Sequence, residues 1–461
     1  MMSLSEAAAA MQARAIGPDV RFEGVSTDSR SIAKGELFVA IRGERFDGHE
    51  FLGAAKARGA AAALVDERYG GATEGPRGGA ASLPLLVADD TRRGLGRLGR
   101  HWRLRFAPAL IAVTGSNGKT TTKEMLASIL RAHAGEAGAL ATSGNLNTDI
   151  GVPLTLLRLR AGHRYCAVEL GMNHPGEIRM LAEIARPTVA LVNNAQREHL
   201  EFMQSVEAVA EENASVFDAL PADGVAVLNA DDAMAGTFRK KAGTRRRVEF
   251  GLQGGEVTGR CELKGLHSEL ALRTPAGEAR ATLAIPGLHN VRNALAAAAC
   301  AYAAGIPGDA IGTGLSAFRP YAGRLQVKTT AGGATLIDDS YNANPDSVRA
   351  AIDILASCPG PTALVLGDMG EVGAQGPAFH AEVGRYAKEK GVGMLLALGA
   401  ATPDAVRGFG KEGIHFDDVK ALVEQAQGAR TILVKGSRFM KMERVVAALA
   451  GELCGSKARE H

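Results

Sequence analysis

The stretch Ile111-Ala-Val-Thr-Gly-Ser-Asn-Gly-Lys-Thr-Thr-Thr122 is where residue type and spacing point most directly to chemistry. An apolar run leads into Gly115, Ser116, Asn117 and Gly118, and then into Lys119, Thr120 and Thr121. Such a loop turns tightly enough for successive N–H groups to face an anion, and a helix starting after it adds the positive end of its dipole. The lysine would reach terminal phosphates and the threonine hydroxyl would hold magnesium, so the chemistry is nucleoside triphosphate binding. The segment departs from G-x-x-x-x-G-K-[ST] in one place, where Val113 stands for the first glycine.

Other polar groups cluster at the ends of apolar runs. Glu169 lies in Tyr165-Cys-Ala-Val-Glu-Leu-Gly171, at the carboxyl edge where open α/β sheets gather ligands. A carboxylate there suits a metal ion on a nucleotide, or is simply a solvated charge at a strand end, which is the better reading from position alone. His199 closes Asn193-Asn-Ala-Gln-Arg-Glu-His199 at the same edge, and by itself is more simply structural. In His289-Asn290-Val-Arg-Asn293 the two asparagines sit at i and i+3 and share a face, and amides pair with a purine edge. Asn290 equally fits a helix cap, which position alone favours. Asp338-Asp339-Ser-Tyr341-Asn342-Ala-Asn344-Pro345 and Lys435-Gly-Ser437-Arg438 end two further runs, as turn chemistry or as ligand groups.

The elements that must position these residues follow from length and pattern. A chain of 461 residues calls for about three domains. With 46% hydrophobic and 22% charged residues it is globular rather than disordered or collagenous. Lys plus Arg (53) against Asp plus Glu (50) leaves +3, too little for bulk electrostatics to select nucleic acid or an acidic membrane. Five cysteines without a C-x-x-C pair indicate neither a zinc knuckle nor a disulfide framework, and fit a reducing cytoplasm. There is no membrane-length apolar run, and residues 1–16 read as a capped, Ala-rich helix from Leu4 rather than a signal peptide.

Residues 25–87 alternate short β-rich pieces with a helical stretch at 49–59 and glycine-rich loops such as 70–79, a small α/β unit. The basic, turn-poor segment 101–105 around Trp102 ends at Pro108, where the first boundary is placed. Uninterrupted apolar runs at 109–114, 165–170, 189–193 and 225–229, with helical periodicity between them, imply a parallel sheet covered on both faces. An antiparallel excursion is expected over 246–285, then an Ala-rich helix from near Asn290. Beyond the linker Arg319-Pro-Tyr-Ala-Gly-Arg324, runs at 335–338, 363–366, 395–398 and 431–434 again alternate with helices. The expected domains are 1–107, 108–319 and 320–461.

Taken together these stretches resemble the Mur ligase family, the ATP-dependent amide-forming enzymes of peptidoglycan synthesis. The matching pieces are Thr114-Gly-Ser-Asn-Gly-Lys-Thr-Thr121, Val168-Glu-Leu-Gly171, His199-Leu-Glu201, Gly287-x-His-Asn-x-x-Asn293, Gly323-Arg324 and the Asp339 cluster, in family order across nearly the whole chain. Thr142-Ser-Gly-Asn145-Leu-Asn147 with Ile150-Gly-Val-Pro-Leu-Thr-Leu-Leu157, and Asp339-Ser-Tyr-Asn-Ala-Asn-Pro-Asp-Ser347, resemble the type that adds D-alanyl-D-alanine to UDP-N-acetylmuramoyl-tripeptide. The Asp-Asn-Pro-Arg signature associated with diaminopimelate addition does not occur. Ser26-Thr-Asp-Ser29-Arg30 and Phe46-Asp47-Gly-His49 resemble the segments by which this type holds its UDP-sugar peptide.

The resemblance implies an α/β fold of three domains: a small N-terminal α/β domain for the UDP-sugar peptide, a central P-loop parallel-sheet ATPase domain, and a C-terminal Rossmann-like domain. It implies ATP and Mg2+, with one magnesium on Thr120 and Glu169, a second near His199, and Lys119, Glu169, His199 and Arg324 as the catalytic set. Gly115 through Thr121, Asn290, Asn293, Arg324 and Asp339 would bind the nucleotide, Asn293 facing adenine and Asp339 the ribose. Ser29, Arg30, Asp47, His49, Asn145, Asn147, Tyr341, Asn342, Asn344, Lys435 and Ser437 would bind the substrates. The expected partners are those two small molecules, with no nucleic acid and no membrane span, in a cytoplasmic monomer. The family's carbamylated lysine falls on Asn213, which cannot form a carbamate. Its amide oxygen is left to coordinate or orient a water, with Glu211 or Glu212 beside it to supply charge. The rivals are a folylpolyglutamate synthetase-like ligase and a nucleotide-dependent scaffold without catalysis.

Overall fold

The computed structural model describes residues 1–43, 46–70 and 83–452. The glycine-rich stretch expected as a loop at 70–79 lies, from 71 onward, outside the described residues, as does Cys454.

Ser3 caps the first helix, α1 (Leu4–Met11), its hydroxyl accepting the Glu6 N–H. Five strands that follow form one sheet: β1 (Arg14–Ile16), β2 (Val25–Ser26), β3 (Leu37–Val39), β4 (Ala62–Asp66) and β5 (Leu85–Ala88). They are ordered β1-β5-β4-β3-β2, with β1 antiparallel to β5 and the rest parallel. After β5, helix α2 (Thr91–Arg103) carries the basic segment around Trp102. Trp102 Nε1 donates to Leu159 O (3.1 Å) and Arg103 Nε to Ala185 O (3.2 Å), so α2 straps the N-terminal sheet to the next domain.

The central domain contains β6 (Ala109–Thr114), α3 (Lys119–Ala134), β7 (Ala139–Ala141), β8 (Tyr165–Glu169), α4 (Glu177–Ala185), β9 (Val189–Val192), α5 (Val206–Ala214), β10 (Val225–Asn229) and β11 (Arg246–Phe250). Its six-stranded sheet runs β11-β10-β9-β6-β8-β7, parallel throughout. Leu110, Ile111, Ala112 and Val113 are wholly buried, as a strand covered on both faces requires. Because β6 lies between β8 and β9, the loops after these three strands diverge at one edge and leave a crevice there.

The expected antiparallel excursion begins later than the pattern suggests. Arg246–Phe250 pairs in parallel with β10 as the sheet's edge, and only β12 (Thr258–Lys264), β13 (His267–Thr274) and β14 (Gly277–Leu283) form an antiparallel ribbon. In β11 the buried Val248 and Phe250 are preceded by the exposed Arg246 and Arg247. A half-solvated edge of a parallel sheet shows the same one-faced pattern as an antiparallel strand. Helix α6 (Leu288–Ala303) follows, with every residue from Ala294 to Ala301 buried, which side chains as small as alanine allow among close neighbours.

The C-terminal domain comprises β15 (Gln326–Thr329), β16 (Thr335–Asp339), α7 (Pro345–Ala356), β17 (Thr362–Gly367), α8 (Gly376–Glu389), β18 (Met394–Leu398), β19 (Gly413–Phe416) and β20 (Thr431–Lys435). The sheet order is β15-β16-β20-β17-β18-β19, with only the β15–β16 pair antiparallel. Asp339 and Lys435 are register partners at the carboxyl ends of β16 and β20. No helix among the described residues is long and apolar enough to cross a membrane.

Candidate active site

The loop between β6 and α3 is built on two glycines that no other residue could replace without strain. Gly115 has φ +135° and Gly118 φ +79°, and a Cβ on Gly118 would lie 2.3 Å from Asn293 Oδ1. Ser116 N–H donates to Asn194 O (3.0 Å) and Asn117 N–H to Asn194 Oδ1 (2.8 Å), which holds the loop open. The first intrahelical bond of α3 is Thr122 N–H to Gly118 O (2.8 Å). The amides of Lys119, Thr120 and Thr121 therefore have no intrahelical acceptor and form the helix's anion-binding end.

Lys119 Nζ donates to Gly115 O (2.6 Å), Ser116 O (3.0 Å) and Glu198 Oε1 (2.9 Å). Thr120 Oγ1 and Asn147 Nδ2 both donate to Glu169 Oε1, at 3.2 and 2.8 Å. Glu169 is buried, and its Oε2 has no hydrogen-bond partner. His199 occupies the left-handed region at φ +50°, with Nε2 3.6 Å from Glu198 Oε1 and Nδ1 2.7 Å from Glu371 Oε2. The imidazole beside it holds the Glu371 carboxyl below the usual carboxylate range, against the opposing effect of burial.

Two cavities meet at this loop. The larger, about 900 Å3, is lined by Lys119, Thr120, Asn147, Glu169, His199, Tyr341, Asn342, Asn344 and Ser437, and by Arg92 from the N-terminal domain. The smaller, about 590 Å3, is lined by Thr121, His289, Asn290, Asn293 and Asp339. Asn117, Gly118, Arg324 and Lys435 line both. Ser116 faces the larger cavity, whereas Gly115 lines neither and contributes the carbonyl that holds Lys119. Arg324 lies over the Tyr341 ring, 4.2 Å from its centroid, with Nε buried and without a partner.

Ser29, Arg30, Asp47, His49 and Asn145 line neither cavity. His49 Nδ1 lies 2.6 Å from Asp47 Oδ1, its Nε2 accepts Asp66 N–H (3.1 Å), and Arg42 bridges Asp47 and Asp66. These side chains brace the N-terminal domain internally, and Arg30 pairs with Asp28.

Three expectations are corrected. The N-cap of α6 is Gly287, while Asn290 Nδ2 donates back to Pro286 O (2.7 Å) and its Oδ1 accepts from Asn293 Nδ2 (3.1 Å), so Asn290 is no cap. Asn213 is wholly buried, accepting from Thr114 Oγ1 (2.7 Å) and donating to Val209 O (3.0 Å), so it presents nothing to either cavity. Glu211 and Glu212 supply no charge there, because Glu211 pairs with Lys241 and Glu212 accepts the Gly176 and Ile178 N–H groups. Lys435 is not among these: it lines both cavities, buried and held by Asp339 Oδ2 (2.6 Å) and Asn342 O (2.9 Å). Burial lowers its ammonium from the ordinary lysine range.

Other residues here had no reading of their own in the sequence. Arg197 and Glu198 stood beside His199 as an adjacent charge pair past a strand, a signal that could have found them. Arg92 and Glu371 gave no local signal, since their place depends on how the domains dock. Arg197 Nη1 reaches Glu382 Oε2 (2.9 Å) and its Nη2 reaches Asp346 Oδ1 (2.6 Å), and those two carboxylates raise the guanidinium above its usual range.

A magnesium ion is tested by the donors present. Glu169 Oε2 and Glu198 Oε2 are buried oxygens without partners, hard anionic donors of the kind that ion prefers. Among the described residues no cluster of three or more His, Cys, Asp or Glu side chains could hold a metal alone. The donors therefore fit an ion whose shell is completed by phosphates and water.

Three family models match: the Mur ligase middle domain over residues 113–301, the Mur ligase glutamate ligase domain over 323–438, and the Mur ligase family catalytic domain over 21–103. The UDP-N-acetylmuramoyl-tripeptide–D-alanyl-D-alanine ligase of Escherichia coli (strain K12) is 40% identical over 442 residues, covering 94% of this chain and 95% of that protein. This chain belongs to the Mur ligase family. Solved Mur ligases share its architecture. MurF from Acinetobacter baumannii superposes with a TM-score of 0.88 at 35% identity, covering 97% of this chain and 98% of that one. MurF from Thermotoga maritima, solved in complex with ADP, gives 0.79 at 26% identity, covering 94% and 98%.

Proposed function

We infer that this Mur ligase joins D-alanyl-D-alanine to the terminal carboxylate of UDP-N-acetylmuramoyl-tripeptide at the expense of ATP, in peptidoglycan precursor synthesis. The observation that carries the assignment within the site is the phosphate loop, which is a wall common to both cavities. A nucleoside in the smaller cavity would have its phosphates over α3 and its γ-phosphoryl group at Lys119, facing an acceptor in the larger one.

In the first step a carboxylate oxygen of the tripeptide attacks the γ-phosphorus and ADP leaves, giving an acyl phosphate. In the second, the amine of the dipeptide attacks the acyl carbon, phosphate departs and the amine loses a proton. The first step brings two anions together and the second builds negative charge on the carbonyl oxygen and the departing phosphate, so pre-aimed cations dominate the catalysis. Lys119 and the amides of Lys119 to Thr121 would hold the phosphates, and Arg324 would bind them where the two cavities join. One magnesium held by Thr120 and Glu169, and a second near His199, would neutralise phosphate oxygens. Asn293 would face adenine, beside Gly118 where a side chain does not fit. Asp339 would meet the ribose, and Asn147, Tyr341, Asn342, Asn344, Lys435 and Ser437 the peptide substrates, with water excluded by the docked C-terminal domain. Ser29, Arg30, Asp47, His49 and Asn145 would then lie along a longer path for the UDP-sugar. Cys166, Cys261, Cys300 and Cys358 are unpaired, which supports action in the reducing cytoplasm, and the chain would act as a monomer.

Mass analysis of the product tests the reading. Offered D-alanyl-D-alanine and glutamate together with ATP, magnesium and UDP-N-acetylmuramoyl-tripeptide, the enzyme is expected to add the dipeptide alone. Incorporation of glutamate in its place would overturn the assignment.

A further inference from the structure

Glu198 is buried to 8% exposure and lines the larger cavity between Lys119 and His199. Only its Oε1 is engaged, by Lys119 Nζ at 2.9 Å, while Oε2 is buried without any partner. An unpaired oxygen on a buried carboxylate is costly and calls for an explanation. Glu371, the other carboxylate on His199, is about half exposed and needs none, because water satisfies it.

Lys119 sharpens the question. An ammonium has three donors, and here all three are engaged, by Gly115 O, Ser116 O and Glu198 Oε1. To reach a phosphate, Lys119 must release one acceptor, and the two carbonyls move with the loop itself. Releasing Glu198 would leave a buried carboxylate with no partner within hydrogen-bond distance, unless another cation arrives as the lysine leaves. His199 Nε2, 3.6 Å from Glu198 Oε1, is a second donor atom at the same spot.

We propose that Glu198 is a ligand for a divalent cation, held together with His199, and that it exchanges Lys119 for this cation when nucleotide binds. The carboxylate would supply the anionic charge that Asn213, buried against Thr114, does not provide. The proposal rests on reading the loop as an ATP site.

The test is ADP affinity of the full chain in EDTA and in Mn2+, for wild type, Glu198→Gln and Glu198→Asp, with bound Mn2+ counted by electron paramagnetic resonance. In wild type Mn2+ tightens ADP binding. Glu198→Gln is expected to cut that tightening by about tenfold or more, with fewer Mn2+ ions bound per chain. In EDTA the same variant should bind ADP as well as wild type or better, because Lys119 is released. Glu198→Asp keeps the charge but draws it back, so its Mn2+ effect should fall between the two. Undiminished Mn2+ tightening and Mn2+ count in either variant would overturn the proposal and leave Glu198 as a partner of Lys119 alone. Failure of wild type to bind ADP under both conditions would overturn the nucleotide reading, and the proposal with it.

Discussion

Arg197 Nη2 lies 2.6 Å from Asp346 Oδ1, and this contact joins the loop that ends at His199 to the first turn of a helix in the C-terminal domain. One residue before Asp346, Pro345 opens that helix, and its cap Asn344 donates to Asn117 Oδ1 in the phosphate loop (2.9 Å). Domain docking and the phosphate site are therefore built from the same few residues, and closure of the C-terminal domain should gate catalysis.

Arg197→Ala is expected to lower kcat/KM for ATP by roughly tenfold, about 1.4 kcal/mol, because two carboxylates lose a cation they share between domains. Small-angle scattering of the variant with ADP should show a larger radius of gyration than wild type. An unchanged radius and rate would remove Arg197 from the closing mechanism.

Gly118→Ala should weaken nucleotide binding while leaving the fold in place. The new Cβ would fall 2.3 Å from Asn293 Oδ1 in a backbone conformation that L-residues avoid. ADP titration should show a loss of affinity of about tenfold or more, with far-UV circular dichroism unchanged. Wild-type affinity in this variant would contradict the packing of Asn293 against the loop.

Glu169→Gln keeps the hydrogen bonds that Oε1 accepts but removes the charge. A loss of about 10²–10³ in kcat is expected, the range for a group that stabilises charge in the transition state. ADP affinity in EDTA should be unaffected. Full activity in this variant would show that the unpaired Glu169 Oε2 has no part in the chemistry.

His289 makes stability depend on pH. Burial, then the nearby Lys435 and Arg292 charges, lower its pKa from 6.5 to about 4. Above pH 6.5 the imidazole is neutral folded and unfolded, so it contributes nothing to the pH dependence. As pH falls through 6.5 the unfolded chain takes up the proton first, and stability is lost until about pH 4, by roughly 3 kcal/mol from this group. Urea midpoints at pH 7 and pH 4.5 should differ more for wild type than for His289→Gln. Equal differences would place the titrating group elsewhere.

Much of the fold was legible because it rests on local pattern. The apolar run 109–114 and the Gly-Lys-Thr turn after it are a strand, a loop and a helix in the structure, as their periodicity requires. The start of the antiparallel ribbon was misplaced because Arg246–Phe250 is a parallel edge whose single buried face looks antiparallel in sequence. The placing of residues within one turn, such as Lys119 and Thr120 at the start of the helix, could be read directly. Asn213 could not, since whether an asparagine faces a cavity or bonds Thr114 behind it depends on the side of the helix that packs inward. The tie between Asn344 and Asn117 spans positions far apart in the chain and exists only once two domains have docked.

The measurement that bears most directly on the ligase assignment is phosphate release from ATP and magnesium with UDP-N-acetylmuramoyl-tripeptide, with and without D-alanyl-D-alanine, in wild type and Lys119→Ala. Steady release that requires both substrates and vanishes in the variant is the expected result. Nucleotide binding without release when both substrates are present would contradict it and leave a nucleotide-dependent scaffold as the alternative.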